Sequence, residues 1–174
     1  MRIDLNKVLS FEDEKYKETV PFEQEMFKSK LGEYPITKKT PLSLEIRNVE
    51  NRMLEITATM ELTLSTTCDR CLEDVEVDMY VDILRELPIV EKQLVMQDME
   101  DTEYIIGSSL ETDELVYSEL LMRWPMKILC RQDCKGLCNK CGNNLNQEEC
   151  GCDRIELDPR MAAIQDIFNK FKEV

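Results

Sequence analysis

The chain has 174 residues, and its longest apolar run is four, Met161-Ala162-Ala163-Ile164, which excludes a membrane-spanning helix. Its formal net charge of −14 predicts repulsion from bare nucleic acid overall and attraction to basic partners, among which ribosomal proteins are abundant. It has no histidine and five glycines (Gly32, Gly107, Gly136, Gly142 and Gly151), which gives poor support to Ser-His or Cys-His nucleophile pairs, facial metal triads and phosphate-cradling glycine loops.

Met1 to Leu5 alternates and predicts a short strand. The start, through Lys7, holds no apolar stretch of signal-peptide length. Residues 11 to 34 are charged and less periodic; they read as loop with one further strand. Leu42, Leu44 and Ile46 alternate with Ser43, Glu45 and Arg47, as in a half-buried strand. Leu54, Ile56, Ala58, Met60, Leu62 and Leu64 alternate for longer, and Val75, Val77, Met79, Val81 and Ile83 resume the pattern after Cys68-Asp69-Arg70-Cys71. Two long strands flanking a C-x2-C turn predict a hairpin with two thiols at its tip.

Residues 86 to 119 hold ten acids against Lys92, a net −9. This is a solvated connection with a short strand near Tyr104-Ile105-Ile106, or, on a sharper reading, a dock for a basic partner. Asp113 suits the N-cap of a helix from Glu114 to about Arg123, stopped by Pro125, with Leu120, Leu121 and Trp124 facing the core. Asp158-Pro159 predicts a second helix start. Met161, Ile164, Phe168 and Phe171 then recur at helical spacing, for packing on the domain rather than for a partner.

Eight cysteines carry the chemistry. Cys68 and Cys71 stand in mid-chain; Cys130, Cys134, Cys138, Cys141, Cys150 and Cys152 crowd into the last third. Eight thiols make two tetrahedral sets, and structural zinc takes four ligands. Disulfides or free thiols are the alternative, but disulfide scaffolds are usually short secreted chains, and C-x-C or C-x2-C pairs suit a metal better than one unstrained bridge. With two zinc ions the net charge becomes about −18. The local partition puts Cys138, Cys141, Cys150 and Cys152 on one ion and Cys68, Cys71, Cys130 and Cys134 on the other; an interleaved set, with Cys68 and Cys71 meeting Cys138 and Cys141, closes longer loops. Four filled thiolate positions leave none for water, so the expected role is structural, with oxidation of the thiolates as an open switch. Between Arg123 and Cys141 the charge reverses to +4, and Arg123, Lys127, Arg131, Lys135 and Lys140 are candidate RNA contacts; residues 28 to 40 carry +3. The plain alternative for both runs is solvated surface that partly neutralises thiolate charge.

Cys68-Asp69-Arg70-Cys71-Leu72-Glu73, the run from Cys130 through Cys134-Lys135-Gly136-Leu137-Cys138-Asn139-Lys140-Cys141-Gly142-Asn143-Asn144-Leu145-Asn146, and the closing Cys150-Gly151-Cys152 resemble the bacterial and plastid family of large ribosomal RNA subunit accumulation proteins, the YceD family. The resemblance runs from the strand pair near residue 40 to Asp158. Asn139 departs from the proline common there and removes no ligand. The resemblance implies a role in accumulation of large-subunit ribosomal RNA and in assembly of that subunit, and it supplies no mechanism.

The expectation is therefore an α+β protein, mainly antiparallel sheet with a few helices and a zinc-organised C-terminal region. Residues 1–112 form the sheet region with its C-x2-C turn; residues 113–174 hold a helix, the cysteine-rich zinc region and a C-terminal helix, packed with the sheet as one unit. The expected function is a non-enzymatic ribosome-biogenesis factor of the bacterial cytoplasm, with a basic ribosomal or assembly protein as partner, ribosomal RNA as a further contact, and no membrane or small-molecule substrate. The alternatives are a redox-regulated zinc chaperone or thiol sensor, and a transcription adaptor.

Overall fold

The computed structural model describes residues 1–12, 14–30, 32–95 and 101–152. In chain order the elements are β1 (Arg2–Asp4), α1 (Asn6–Ser10), β2 (Lys15–Val20), β3 (Met26–Ser29), β4 (Gly32–Lys39), β5 (Leu42–Val49), β6 (Met53–Thr67), β7 (Asp74–Val90), β8 (Gln93–Leu94), α2 (Asp101–Tyr104), β9 (Ile105–Ile106), β10 (Ser109–Glu111) and α3 (Thr112–Met122). The class is the expected one, mostly antiparallel strand. Two compact units emerge: residues 1–67 with 74–128, and residues 68–73 with the segment from Leu129 onward.

In the first unit β6 is the organising strand. One side pairs along its whole length with β7, from Met53↔Pro88 to Thr67↔Asp74. The other side is shared: β5 pairs with its first half, Val49↔Met53 to Ser43↔Thr59, and β4 with its second, through Lys39↔Leu62 and Ile36↔Leu64. β2 lies outside β5, β3 outside β4, and β8 caps the end of β7. A smaller sheet has the order β1-β10-β9.

The alternation explains the core. Leu42, Leu44 and Ile46 of β5, Leu54, Ile56, Ala58, Met60, Leu62 and Leu64 of β6, and Val81, Ile83 and Leu87 of β7 are all buried on one face. Each of the Leu, Ile, Val and Met side chains among them contributes roughly 1.5–3 kcal/mol on burial. Asn48 is the polar exception. Its amide donates to the carbonyls of Val8 (2.9 Å) and Phe11 (3.0 Å), and its oxygen accepts the Asn51 N–H (3.1 Å), so α1 is tied to β5.

Three expectations change. Residues 11 to 34 hold β2, β3 and the start of β4, where loop with one further strand was expected. β2 and β3 were hard to read because they lie outermost, and charged residues such as Lys15, Lys17 and Lys28 alternate with side chains that are mostly only half-buried. Second, β7 continues to Val90, with Leu87 and Ile89 buried, where the charge run from Glu86 suggested a connection. Third, Leu121 is 40% exposed; Leu115, Val116 and Leu120 supply the buried stripe of α3, and Leu121 lies one helical step away from it. Trp124 does pack inward, with ring centroids 4.4 Å from Tyr34 and 5.4 Å from Phe27. The short strand near Tyr104 is present as β9. The helix expected from Asp158 lies outside the described residues, as do Asp98 and Glu100 of the acidic run.

Candidate metal centres

The second unit contains two turns of the same geometry. In Cys68–Glu73 the Leu72 N–H donates to the Cys68 carbonyl (2.9 Å) and the Cys68 N–H to the Glu73 carbonyl (2.8 Å). In Cys138–Asn143 the Gly142 N–H donates to the Cys138 carbonyl (2.9 Å) and the Cys138 N–H to the Asn143 carbonyl (2.8 Å). Each turn closes with a residue in the left-handed region, Leu72 at φ 60° and Gly142 at φ 72°. The effect is to present both thiols of a C-x2-C pair to one point.

Each turn meets a second pair of thiols. Cys68, Cys71, Cys130 and Cys134 form one set and Cys138, Cys141, Cys150 and Cys152 the other, with all sulfurs of a set within 4.8 Å of one another. This is the local partition. The Cys68 and Cys134 sulfurs are 3.8 Å apart and those of Cys71 and Cys130 3.5 Å apart. A zinc–thiolate bond of about 2.3 Å gives a tetrahedron edge of about 3.8 Å, whereas a disulfide needs about 2.05 Å. Both sets could therefore hold a metal ion. Cys68, Cys71, Cys134 and Cys138 are buried; Cys130 and Cys141 are exposed.

A hydrogen-bonded layer holds the first set. The Asn146 amide donates to the Cys134 sulfur (3.3 Å) and to Asn144 Oδ1 (2.9 Å). Its oxygen accepts from the Lys135 N–H (2.8 Å) and from Arg131 (2.9 Å). Glu73 accepts from both Asn144 (2.9 Å) and Gln147 (2.8 Å), joining the first turn to the same layer. Arg70 donates to the Cys134 carbonyl (2.6 Å). The Arg70 carbonyl accepts the Leu137 N–H, and a Cβ on Gly136 would sit 3.0 Å from that carbonyl. Groups of this kind orient the ligands and tune them.

The thiol acidities follow from these contacts. Burial pushes Cys68 up, but N–H groups of Cys130, Cys71 and Arg70 outweigh it and bring it down to about 6. Cys138 falls to about 6 through the N–H groups of Cys141 and Lys140 and the Cys150 thiol. In Cys134 burial is outweighed by the Asn146 amide and the Gly136 N–H, and the thiol is lowered. The neighbouring thiolates then resist further ionisation. Cys152, facing Cys141, is pushed up to about 12; Cys71 also rises to about 12, since burial and its three sister thiols outweigh the Glu73 N–H. Cys130 is raised mainly by burial. A divalent cation relieves that repulsion by taking all four as thiolates.

The candidate basic residues are divided between the two units. Arg123 and Lys127 belong to the first unit, where Arg123 pairs with buried Glu119 and donates to the Asp82 carbonyl (2.7 Å). Arg131, Lys135 and Lys140 belong to the second. Arg131 also pairs with Asp133 (3.5 Å) and Lys135 with Glu149 (3.6 Å), while Lys140 is exposed and makes no ion pair among the described residues. In the run from residue 28 to 40, Lys28 pairs with Glu33, Lys38 with Glu76, and Lys39 donates to the Gln24 carbonyl. Reading the cysteines by spacing missed Glu73, Asn144 and Asn146 as supports; the signal was the asparagine-rich string directly after Cys141-Gly142.

Comparison with known proteins adds three findings. The family model described as "Large ribosomal RNA subunit accumulation protein YceD" matches residues 56–168, a span that includes all eight cysteines. Uncharacterized proteins of Mycobacterium bovis and of two Mycobacterium tuberculosis strains are each 27% identical over 125 residues, 71% of this chain. The chain spans 59% of the length of these curated relatives. No solved structure matches.

Proposed function

Because the chain belongs to the YceD family, we propose that it is a non-enzymatic factor supporting accumulation of large-subunit ribosomal RNA and assembly of the large ribosomal subunit. The family match, which includes every candidate ligand, is the observation that carries this reading. The proposed ions are two zincs, since all-thiolate tetrahedral sets select zinc or iron–sulfur chemistry and closed four-ligand sites are the structural form of zinc. Their role is to fix the second unit, whose described residues include one buried aliphatic side chain, Leu145, as in small metal-dependent modules. The cytoplasm, where ribosomes assemble, is the proposed place of action. The acidic charge supports a basic ribosomal or assembly protein as partner. Arg131, Lys135 and Lys140, held near the thiolate sets, are the proposed RNA contacts; Arg123 is occupied by Glu119 and is the weakest of the five candidates.

Depletion of the protein tests the reading: sucrose-gradient profiles should show less mature large subunit and less of its RNA, with the small subunit less affected. Normal profiles in a clean deletion strain at several temperatures would defeat it. Exposure of Cys130 and Cys141 supports the second reading, a thiol sensor that releases metal on oxidation. Peroxide titration separates the two: a sensor gains activity as metal leaves, whereas a structural protein only loses structure.

A further inference from the structure

β7 is paired on one side with β6 from Asp74 to Pro88, and on the other, among the described residues, only at Ile89 and Val90, with β8. The direction of its backbone groups can be read from their partners. The carbonyls of Asp82, Leu84 and Pro88 accept from Arg123, Arg85 and the Val95 N–H, all on the side away from β6. In an antiparallel strand a residue's N–H and C=O point the same way, and the direction alternates. The N–H and C=O of Asp74, Glu76, Asp78 and Tyr80 therefore also point away from β6. No described residue bonds to them. A row of unpaired backbone groups of this length is a template for another strand.

The side chains of the same residues lie on the face opposite the core, beyond which Val75, Val77 and Met79 point inward. That face is acidic. Glu76 is paired with Lys38 (3.0 Å), whose charge Asp78 also feels, and Asp78 accepts the Thr63 hydroxyl (2.7 Å). Asp74, Asp78, Asp82 and the nearby Glu61 make no ion pair among the described residues, and Tyr80 is 54% exposed. A second copy of this edge would set carboxylate against carboxylate. The charges that disfavour self-association favour a strand with a cation at every second residue.

We propose that the open edge of β7 from Asp74 to Tyr80 takes up a basic extended segment of a partner protein as an added antiparallel strand. Antiparallel hydrogen-bonded pairs set same-face side chains directly opposite each other, so the segment's Lys or Arg residues face Asp74, Asp78 and Glu76. The residues between them are apolar and continue the inner row of Val75, Val77 and Met79. The N–H groups turned to β7 are then those of the cationic residues. Main-chain bonds hold the segment and alternate side chains select it. The inference concerns direct binding and needs no particular step of subunit assembly, so peptide binding can fail while the depletion phenotype stands.

The test uses the full chain and a labelled nine-residue peptide alternating lysine and valine, read by fluorescence anisotropy. The alternating peptide should bind, and hydrogen exchange at Glu76, Asp78 and Tyr80 should slow when it is added. N-methylation of its lysines should weaken binding at least tenfold, whereas N-methylation of its valines, whose N–H groups face away, should change it less than threefold. Tyr80→Pro leaves every carboxylate in place, and its lost N–H is one that β6 does not use, so the sheet should tolerate it while binding falls at least tenfold. Asp74→Asn with Asp78→Asn should also weaken binding and flatten its salt dependence. No binding, or equal binding of a plain lysine nonamer and of both methylated peptides, would overturn the proposal. If Tyr80→Pro does not fold, the methylated pair and the exchange pattern decide.

Discussion

Leu72 and Gly142 occupy the same place in two copies of one turn. Each follows the second cysteine of a C-x2-C pair and donates its N–H to the carbonyl of the first, at 2.9 Å in both cases. Each lies in the left-handed region, at φ 60° and φ 72°. Glycine enters that region freely; leucine pays about 1–2 kcal/mol for the approach of its Cβ to the following carbonyl. The Leu72 side chain is 63% exposed, so little burial offsets this strain.

Leu72→Gly should therefore raise stability, by up to about 1 kcal/mol once the added freedom of the unfolded chain is subtracted. Gly142→Ala should lower it by about 1 kcal/mol through conformation alone, because nothing lies within 4 Å of the added Cβ. Gly136→Ala should cost more than Gly142→Ala, since it adds to φ 78° a contact of 3.0 Å with the Arg70 carbonyl. Chemical denaturation of the metal-loaded protein, comparing the three midpoints, checks the order.

Asn146 should govern metal retention at one set and not the other. Its amide donates to Cys134, while its oxygen takes the Lys135 N–H and Arg131. Asn146→Ala removes all of these and should weaken metal binding by about 10–100-fold at Cys68, Cys71, Cys130 and Cys134. Competition with a chromogenic chelator should show one ion leaving early and one at the unaltered concentration. Two ions weakened equally would show that the layer around Asn146 serves both sets.

Strand periodicity made β5, β6 and most of β7 legible, because one buried face gives a period of two that charge cannot hide. The outermost strands were less legible: in β2 the alternation is between exposed and half-buried residues, and Lys15, Lys17 and Glu18 dominate the composition. The division of thiols was legible from loop length alone. The supports were not. Asn144 lies 71 residues from its partner Glu73, and only folding brings the first turn beside the asparagine string. Arg123 shows the converse: its charge is plain in the sequence, but Glu119, one helical turn earlier, takes it up.

Glu119 should be a stability residue of the first unit. Its side chain is 4% exposed and bridges Arg85 of β7, at 2.9 Å, to Arg123 at the end of α3. Glu119→Ala leaves two guanidinium groups without their carboxylate. Both are partly exposed, so water recovers part of the loss, and the expected cost is about 1–3 kcal/mol. Denaturant melting should register it, while the metal content of the purified protein stays unchanged. Metal loss together with an unshifted midpoint would contradict this placement.

The ions should leave on acidification, and each set should release protons when it fills. At neutral pH in the metal-free protein Cys68 and Cys138, at about 6, are already thiolates, whereas Cys71 and Cys152, at about 12, are protonated. Metal takes thiolates only, so each ion expels at least the proton of Cys71 or of Cys152. Binding must then weaken as pH falls. The depressed pair sets the window: what Cys68 and Cys138 contribute is present above their unfolded value and lost as pH falls through 6. An ion holds thiolates against protons, so release from the loaded protein should begin below about pH 6. Chelator-monitored titration, with proton release followed in weak buffer, checks both. Cys68→Ser with Cys71→Ser should abolish the uptake and proton release of one ion, and Cys138→Ser with Cys141→Ser those of the other. Loss of both ions from either double variant, with the altered protein still folded by circular dichroism, would refute two separate centres.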